Sequence, residues 1–257
     1  MRTKIESASN EFYRHLKKLH TSKERTRTSS YLAEGLRAVS DAIKNKADIH
    51  AVVLCEGMDF DIDFGPLRVY ELSKKLFEDV KLTVNSQGIL AVIGYELREA
   101  LSLDTSRACR VLYLDCVTDP GNMGTILRSA DAFGMDAVIV SKGCVDVFNP
   151  KVVRSTMASL LNVPIYTDND ADATFGLLRD SGFDILGTFP KADNLSCDYR
   201  YKSKTVIVMG NEANGISQRI ADLCTQRVTI PMAGNAESLN VATAAAVMMY
   251  ELSNYRE

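Results

Sequence analysis

Residues 230–250 read IPMAGNAESLNVATAAAVMMY, and this stretch joins a strand, a turn and a helix. The β-branched run Arg227–Ile230 predicts a short buried strand that leads into the turn. The alanine-rich end of the stretch predicts a helix that continues to about Glu251. Ser238 lies at or next to the expected N-cap, so nearby polar side chains are expected to meet unpaired backbone N–H groups. A purely structural capped loop is the alternative, and other parts of the chain must decide between the two.

The second half of the chain, to which this stretch belongs, alternates strand-like and helical patterns. Alternation of this kind predicts a mainly parallel sheet with helices on both faces. Ligands of such sheets bind outside the carboxyl ends of the strands, so the turns of interest follow Asp115, Thr188, Met209 and Ile230. The strand-like runs are Val111–Asp115, Ala137–Ser141, Val163–Tyr166, Asp184–Thr188, Thr205–Met209 and Arg227–Ile230.

The first half predicts a smaller α/β unit. Helical spacing is found over Glu6–Leu19 and Tyr31–Lys46, and the charged residues Thr21–Ser30 between them predict a loop. Glu96–Arg107 is mostly polar and predicts a linker, so the expected domains are residues 1–107 and 108–257. Strands are expected at Ala51–Cys55, Leu67–Leu72 and Leu90–Gly94, with a helical segment around Ser73–Glu78.

The charge of the chain is unevenly distributed. The 257 residues carry a net charge of −3 and have a pI of about 5.7, so the composition as a whole does not indicate nucleic acid binding. Residues 1–30, however, contain eight lysines and arginines and three glutamates. A basic N-terminal arm of this kind favours binding to a phosphate backbone. A solvated helix face is the alternative.

Several functional classes lack their sequence signals. The six cysteines show no metal-ligand spacing, so we expect free thiols, a cytoplasmic protein and no metal site. Neither a secretory signal nor a run of about 20 apolar residues is present, so no membrane segment is expected. The glycine-rich fingerprints of dinucleotide and P-loop enzymes and the G-x-S-x-G turn of hydrolases are also missing. All three histidines lie in the first half, so a catalytic base in the second half would be another residue type.

The turn after Asp115 reads DPGNMGTILRSADAFG over Asp119–Gly134. Its proline and first glycines predict a tight turn, and Thr125 onward predicts a helix. Asn122 lies in the turn, and Arg128 lies on the first turns of the helix, from which we expect it to point back toward the strand ends. An arginine in that place offers a planar fork for phosphate or carboxylate. A helix-capping asparagine and a surface arginine are the alternative.

The turn after Met209 reads GNEANGIS over Gly210–Ser217. Two glycines and two asparagines in eight residues predict left-handed backbone and close approach to a ligand. Glu212 is the carboxylate of this turn. A structural turn is the alternative, but a buried parallel strand that feeds such a loop favours a ligand site.

Together these turns resemble a known family. The stretches NMGTILR, MGNEANGI and IPMAGNAESLNVATAAAV are similar to the three motifs of the SpoU/TrmH family of RNA ribose 2′-O-methyltransferases, in the family's order and spacing. The resemblance covers Arg110–Tyr250. In the first half, YLAEGLRAVSDAI and SQGILAVIG resemble the substrate-binding domain that many members carry, a fold akin to RNA-binding ribosomal proteins.

The resemblance implies a fold that general topology rules would not suggest. Chains avoid knots as a rule, yet this family ties a trefoil knot near its C-terminal end, around S-adenosylmethionine. A homodimer is also implied, with each active site completed near the subunit interface. The expected fold is therefore an α/β SPOUT-like methyltransferase domain with a mainly parallel sheet, preceded by a small ribosomal-protein-like α/β domain.

The resemblance also assigns residues by position. It places the cofactor S-adenosylmethionine against Thr188, Gly210, Ile230, Met232 and Leu239. It places the reacting centre among Asn122, Arg128, Glu212, Ser238 and Asn240. An arginine is a poor base because its pKa exceeds about 12, so we expect Arg128 to hold the ribose or a phosphate and to stabilise the developing alkoxide. On the helical stretch Pro150–Leu160, Arg154 and Ser155 are expected to line the RNA cleft, with a solvated helix face as the alternative.

The sequence is compatible with three functions. The first is an S-adenosylmethionine-dependent RNA 2′-O-methyltransferase that acts on ribosomal RNA, or alternatively on transfer RNA. The second is a non-catalytic RNA-binding protein on the same fold, which would be free to lose the residues of the reacting centre. The third is another nucleotide enzyme on a parallel sheet, which the absent phosphate-loop signals disfavour.

Overall fold

The computed structural model describes residues 2–156 and 158–254, and its contacts divide the chain into two compact units. The first unit runs to Glu96 and also takes in Asp146–Leu161. The second comprises Leu97–Val145 and the chain from Asn162 onward. The chain therefore passes between the units at three points rather than once near Arg107, and the helical stretch that follows Asn149 folds with the first unit.

Strands and helices alternate through both units. The strands are β1 (Arg2–Ile5), β2 (Ser30–Glu34), β3 (Ile49–Cys55), β4 (Val69–Leu72), β5 (Ile89–Gly94), β6 (Arg98–Glu99), β7 (Arg110–Leu114), β8 (Ala137–Ser141), β9 (Ile165–Asp168), β10 (Asp184–Thr188), β11 (Asn194–Leu195), β12 (Thr205–Met209) and β13 (Gln226–Thr229). The α-helices are α1 (Glu11–Lys18), α2 (Ser22–Thr28), α3 (Leu36–Lys44), α4 (Lys74–Glu78), α5 (Pro120–Ala132), α6 (Pro150–Thr156), α7 (Ala171–Asp180), α8 (Gln218–Leu223) and α9 (Val241–Asn254). Short 3₁₀ turns lie at Ala100–Ser102, Ser159–Leu161 and Ser196–Asp198.

The first unit is built on a mixed five-stranded sheet with the order β1-β4-β3-β5-β2. The pairs β1–β4 and β3–β4 are parallel, and β5 runs antiparallel to both β3 and β2. Helices α1 and α4 cover this sheet with a core that includes Tyr13, Leu16 and Phe77. The segment 146–161 joins the same unit through α6, which packs on β2.

Two predictions for the first unit were wrong in detail. The expected loop Thr21–Ser30 contains the helix α2, and the start of the expected helix Tyr31–Lys46 is the strand β2. A break occurs at Gly35, whose φ of +107° suits glycine and separates β2 from α3. In α2, the side chain of Arg25 is only 3% exposed. Its Nε and Nη2 atoms donate to the carboxylate of Asp146, and its Nη1 atom donates to the carbonyl of Leu19. These tertiary contacts explain why a polar sequence forms an ordered helix.

The basic N-terminal segment is folded rather than extended, because it forms β1, α1 and α2. Five of its eight cations form ion pairs, so the positive charge that it presents to solvent is smaller than its composition suggests. These pairs are Arg2–Asp59, Lys4–Glu71, Lys17–Asp79, Arg25–Asp146 and Arg27–Glu24. Its role in RNA binding stays a prediction.

The second unit is built on an eight-stranded parallel sheet with the order β11-β13-β10-β12-β7-β8-β9-β6. This confirms the expected parallel α/β architecture. Five of the six predicted strands match to within one residue at each end, and β9 begins two residues later than predicted. The expected linker Glu96–Arg107 instead supplies the edge strand β6, which pairs with β9.

The order of the strands places three loops at one edge of the sheet. Strand β10 lies between β13 and β12, and β12 also pairs with β7. Because these strands are parallel, their carboxyl ends meet at the same edge, so the turns after Leu114, Thr188, Met209 and Thr229 come together there. None of the helices formed by residues 2–156 and 158–254 has the length and apolar character that crossing a bilayer requires.

The start of α5 was predicted wrongly. Pro120 and Gly121 lie in the first helical turn instead of a preceding loop, and Asn122 follows them in the same turn. Asp119 is the N-cap, and its carboxylate accepts the N–H of Asn122 at 2.8 Å. Proline is favoured at this first helical position because its missing N–H would be unpaired there in any case.

Candidate active site

The loops at this edge enclose a cleft of about 310 Å³. The turn after β10 forms one side, the loop after β12 forms another, and the long turn between β13 and α9 closes the rest. The five residues that sequence analysis assigned to the cofactor share one property, which is that all of them line this cleft. They are Thr188, Gly210, Ile230, Met232 and Leu239.

The loop after β12 folds tightly over the end of its own strand. A β-carbon at Gly210 would overlap the backbone of Gly215 and Ile216, so any larger residue would push the loop away from the strand. Asn211 and Gly215 form an isolated antiparallel bridge, and Gly215 adopts a φ of +68°. The glycines of this turn are therefore explained first by the close approach of two backbone segments.

One wall of the cleft is aromatic and is held in place by its neighbours. The ring of Phe189 lies against Gly187, where a β-carbon would come within 2.6 Å of the ring. The guanidinium carbon of Arg227 lies 5.0 Å from the centroid of the same ring, within the range of a cation–π contact. Phe189 is thus fixed from two sides and presents a rigid apolar surface to the cleft.

Thr188 carries the most informative polar atom of the cleft. Its Oγ1 is buried and has no hydrogen-bond partner among the described residues. A buried hydroxyl without a partner costs about 1–3 kcal/mol, so a native site with such an atom points to a ligand that supplies the partner. The family resemblance places Thr188 at the cofactor, but the unpaired hydroxyl is visible only in the structure.

A chain of side-chain hydrogen bonds runs beside the cleft and joins three turns. Asn240 Nδ2 donates to Asn122 Oδ1 at 3.0 Å, and Asn122 Nδ2 donates to Glu212 Oε1 at 3.1 Å. These residues come from the turn before α9, the first turn of α5 and the loop after β12. The structure thus brings together three of the five residues that sequence analysis placed at the reacting centre.

Glu212 is the acceptor at the end of this chain. Its carboxylate also accepts the backbone N–H and hydroxyl of Thr118 and the N–H of Asp119. Partial burial acts to raise the pKa of Glu212, but the hydrogen bonds from Asn122 and the backbone outweigh it, so the pKa lies below the usual value of 4.5. A carboxylate that is ionised and occupied on both oxygens is a poor proton acceptor, which favours an orienting role.

The helix cap was assigned to the wrong residue. Asn240, rather than Ser238, caps α9, because its Oδ1 accepts the N–H of Ala242 at 2.9 Å and its carbonyl accepts the N–H of Ala244. Ser238 is exposed and lines the cleft two residues earlier. The cap fixes which end of the Asn240 amide faces Asn122, because its oxygen is already committed to the helix.

Arg128 lies on α5, six residues after Asn122, and its side chain is exposed. No ion pair or hydrogen bond holds it among residues 2–156 and 158–254, and it is not part of the cleft lining. The structure therefore leaves the guanidinium accessible to a ligand, while its expected orientation toward the strand ends stays a prediction.

Two further residues hold the site together and were not singled out in the sequence. Asn211 donates from Nδ2 to the carbonyl of Cys116 at 2.8 Å and accepts the N–H groups of Ala213 and Asn214. Buried Asp115 accepts the N–H of Ser217 at 2.7 Å. The contacts Asn211–Cys116 and Ser217–Asp115 tie the loop after β12 to the turn after β7. An asparagine that begins a glycine-rich turn was the available signal for Asn211.

The chemistry of the cleft suits S-adenosylmethionine. Its volume lies at the lower end of the range for small-molecule sites. Apolar side chains of Phe189, Ile230 and Leu239 suit the adenine ring and methylene groups, and the unpaired hydroxyl of Thr188 suits a polar atom of the ligand. Within the described part of the chain no cluster of histidine, cysteine or carboxylate side chains has the arrangement of a metal site.

Comparisons with known proteins agree with this geometry. The profile of the SpoU rRNA Methylase family matches residues 110–250, and that of the MRM3-like substrate binding domain matches residues 10–91. The 23S rRNA (guanosine(2553)-2′-O)-methyltransferase RlmP of Bacillus subtilis is 34% identical over 96% of this chain and 98% of its own length.

Solved structures give the same result. The AdoMet-bound rRNA methyltransferase of Sinorhizobium meliloti aligns with a TM-score of 0.83 and 26% identity, over 98% of this chain and 97% of its own. The SpoU methyltransferase AviRb of Streptomyces viridochromogenes, solved in complex with the cofactor AdoMet, aligns with a TM-score of 0.83 and 26% identity, over 95% and 97% of the two chains. The chain therefore belongs to the SpoU rRNA methylase family and is an S-adenosylmethionine-dependent RNA methyltransferase.

Proposed function

We propose that this protein methylates the 2′-hydroxyl of a ribose in ribosomal RNA and that the cleft between β10, β12 and β13 holds its cofactor. The observation that carries the proposal is the hydrogen-bond chain from Asn240 through Asn122 to Glu212, which ties the rim of this cleft to the helix that bears Arg128. The 23S rRNA specificity in the name of the Bacillus relative makes large-subunit rRNA the first substrate to test.

When bound, S-adenosylmethionine supplies an electrophilic methyl group on a sulfonium. A ribose hydroxyl is a weak nucleophile, so the protein's main task is to align it with that methyl group and to ease the loss of its proton. The proton passes to solvent water, because neither Arg128 nor Glu212 is suited to accept it. Arg128, which is exposed and without an ion pair among the described residues, holds the ribose or its phosphate and stabilises the developing alkoxide. Its positive charge does this without the arginine acting as a base.

The remaining residues of the proposed reacting centre have different tasks. Asn122, Asn240 and Glu212 set the distance between α5 and the turn that precedes α9. Ser238, exposed at the cleft, orients the substrate hydroxyl or Arg128. The backbone at Gly210, Ile230, Met232 and Leu239 forms the cofactor pocket, and Thr188 supplies a hydroxyl to it.

The proposal includes a trefoil knot and a homodimer. A knot is supported by the chain path, because residues 230–240 lead from β13, which lies between β11 and β10, back to α9, which packs on α5 and the central strand β12. A dimer through α5 and α9 is supported by Tyr250, which is 57% exposed beside Phe133. Because all six cysteines are free thiols, we also propose a cytoplasmic location.

The test combines cofactor binding with product analysis. Calorimetric titration with S-adenosylmethionine compares the wild type with Leu239→Arg and with the control Leu195→Arg. The two leucines are equally exposed, at 38%, but only Leu239 lines the cleft. We expect Leu239→Arg to abolish binding and Leu195→Arg to preserve it. Incubation with a 23S rRNA transcript, followed by mass spectrometry of the nucleosides, is expected to yield a 2′-O-methylated nucleoside.

Transfer RNA is the runner-up substrate. Methylation of a tRNA pool with no product on rRNA would replace the substrate in this proposal while leaving its chemistry intact. A folded protein that neither binds the cofactor nor methylates either RNA would instead favour the non-catalytic RNA-binding function.

A further inference from the structure

A second cavity, of about 210 Å³, lies wholly within the first unit. It is formed where β2 ends and α3 begins, with the loop 82–87 and the helix α6 as its other sides. Most of the residues that line it are small or apolar, namely Gly35, Ala38, Leu82, Pro150, Val153 and Ala158.

The polar groups of this cavity are arranged so that donors remain available and acceptors are occupied. Glu34 accepts the N–H of Leu82 and the hydroxyl of Thr83 on its two carboxylate oxygens, which ties it into the wall. Gln87 accepts the N–H of Leu36 on Oε1 at 2.8 Å. Its Nε2 group has no protein acceptor within the described chain, and therefore remains a donor.

Two arginines complete the lining and give it a positive charge. Arg154 on α6 is exposed and forms no ion pair with any described residue. Arg37 on α3 is 76% exposed and contacts Asp41 only at 3.7 Å, a distance typical of a weak surface pair. Planar guanidinium groups bind phosphate and stack on bases. Exposed Lys151, one turn before Arg154, adds to the charge.

Two aliphatic side chains beside the cavity are exposed to solvent. Val84, in the loop that forms one side, is 87% exposed, and Leu36, at the start of α3, is 38% exposed. An apolar recess with exposed aliphatic side chains, an amide donor and two arginines matches what unstacked nucleotides require. Their bases need an apolar surface and a hydrogen-bond partner, and their phosphates need a cation.

We propose that this cavity binds one unstacked nucleotide of the RNA substrate, with the base against Ala38 and Val153 and a neighbouring phosphate between Arg37 and Arg154. The inference rests on the proposed function for the identity of the ligand as RNA. It assigns to the first unit a specific contact with a single-stranded element of the substrate, in addition to any recognition of helical RNA by shape.

The test is photo-cross-linking of the full-length protein to a 23S rRNA transcript containing 4-thiouridine, without cofactor, followed by mass spectrometry of the peptides. Cross-links are expected within residues 34–38, 82–87 or 150–158. In parallel, filter binding compares the wild type with Arg154→Glu, with Ala38→Leu, and with Arg68→Glu as a control at an exposed arginine outside the cavity. Ala38→Leu fills the cavity without changing the charge.

We expect Arg154→Glu and Ala38→Leu each to weaken RNA binding by about tenfold, in keeping with the loss of one phosphate contact or of the base from the cavity. Arg68→Glu is expected to change it by less than about twofold, and the affinity for S-adenosylmethionine should be unchanged in all three. Cross-links confined to other segments, or unchanged RNA binding by both cavity variants, would overturn the inference. Because cross-linking needs no cofactor, a failure of methyl transfer would count against the proposed function only.

Discussion

Asn240 and Asn122 are hydrogen-bonded side chain to side chain at 3.0 Å although 118 positions separate them in the sequence. The direction of this bond is fixed, because the oxygen of the Asn240 amide caps α9 and only its NH₂ group is left to face Asn122. The same logic then turns the NH₂ group of Asn122 toward Glu212. The cap of α9 by Asn240 thus sets the donor-to-acceptor direction of both hydrogen bonds, from Asn240 to Asn122 and from Asn122 to Glu212.

Replacing Asn240 with aspartate separates the cap from the link. The Asn240→Asp side chain still accepts the N–H of Ala242, but it offers no donor to Asn122 and opposes its carbonyl oxygen. We expect methyl transfer to fall by about tenfold or more, while the melting temperature changes by only a few degrees. Initial rates and thermal unfolding measure the two effects. The control is Asn10→Asp, because Asn10 caps α1 by accepting the N–H of Tyr13. This variant should leave the rate of methyl transfer and the melting temperature unchanged.

Thr188→Val tests whether the orphaned hydroxyl serves a ligand. Valine has a similar shape and removes the buried, unpaired Oγ1, so the protein without ligand should unfold at a slightly higher temperature. Affinity for S-adenosylmethionine should fall by roughly 5–30-fold, the value of about one hydrogen bond. Ser196→Ala is the matched control, because Ser196 Oγ is also buried and unpaired among the described residues but lies outside the cleft. Equal effects of both variants on cofactor affinity would contradict the assignment.

Arg128→Ala is expected to abolish methyl transfer without loss of cofactor affinity. The side chain is exposed and forms no ion pair within the described chain, so its removal should cost less than about 1 kcal/mol of stability. Arg128→Lys keeps the charge but not the planar fork, and should recover only part of the rate. Arg107→Ala, at an exposed arginine with one weak surface pair, is the control. Near-normal turnover by Arg128→Ala would remove this residue from the mechanism.

The lowered pKa of Glu212 predicts how the site responds to acid. A carboxyl whose pKa is lower in the folded than in the unfolded protein contributes stability above its ordinary pKa of 4.5 and loses that contribution as the pH falls through the folded value. We therefore expect the free energy of unfolding to decline below about pH 4.5. In Glu212→Gln this decline should be shallower, because the titrating group is gone. Urea unfolding across pH 3–7 measures the difference, and identical slopes would contradict it.

A truncated chain retains the N-terminal part of the second unit only if it begins at or before Leu97. A chain from residue 97 keeps β6, which pairs with β9, and the core residues Ala100 and Leu103. A chain from residue 108 loses all of these, so we expect it to unfold at a lower temperature and to bind S-adenosylmethionine less well. Both truncated chains should bind RNA weakly. Comparable melting temperatures for the two would show that β6 is dispensable.

Either truncation should also affect a distant segment. In the full chain, Asp146 pairs with buried Arg25. Phe148 stacks on Tyr95 and makes a tilted contact with Tyr31, with ring centroids 3.6 and 5.1 Å away. Removing residues 1–96 deletes these partners, so residues 146–161 should become the first site of proteolytic cleavage. Limited proteolysis with mass spectrometry checks this, with the intact chain as the reference.

The sequence was sufficient for the parallel sheet because its buried strands are short apolar runs with clear ends, as at Thr205–Met209. It indicated the cleft because the three motifs follow strands of one parallel sheet, whose carboxyl ends meet at the same edge. It could not give α2, since the helix depends on the distant contact between Arg25 and Asp146. Nor could it give the unpaired state of the Thr188 hydroxyl, because an atom's missing partner is a property of packed neighbours rather than of a pattern.

The segment 146–161 has a consequence for how such enzymes diversify. The family profile matches residues 110–250, yet this piece inside that range folds with the N-terminal unit. A recombination event with a single crossover upstream of residue 110 would replace most of the first unit but keep α6. In the resulting protein α6 would pack on a β2 strand from a different relative. We therefore expect substitutions in 146–161 to co-vary with residues of β2 and α2 among relatives, so that the apparent accessory domain and part of the methyltransferase gene segment are inherited as one unit.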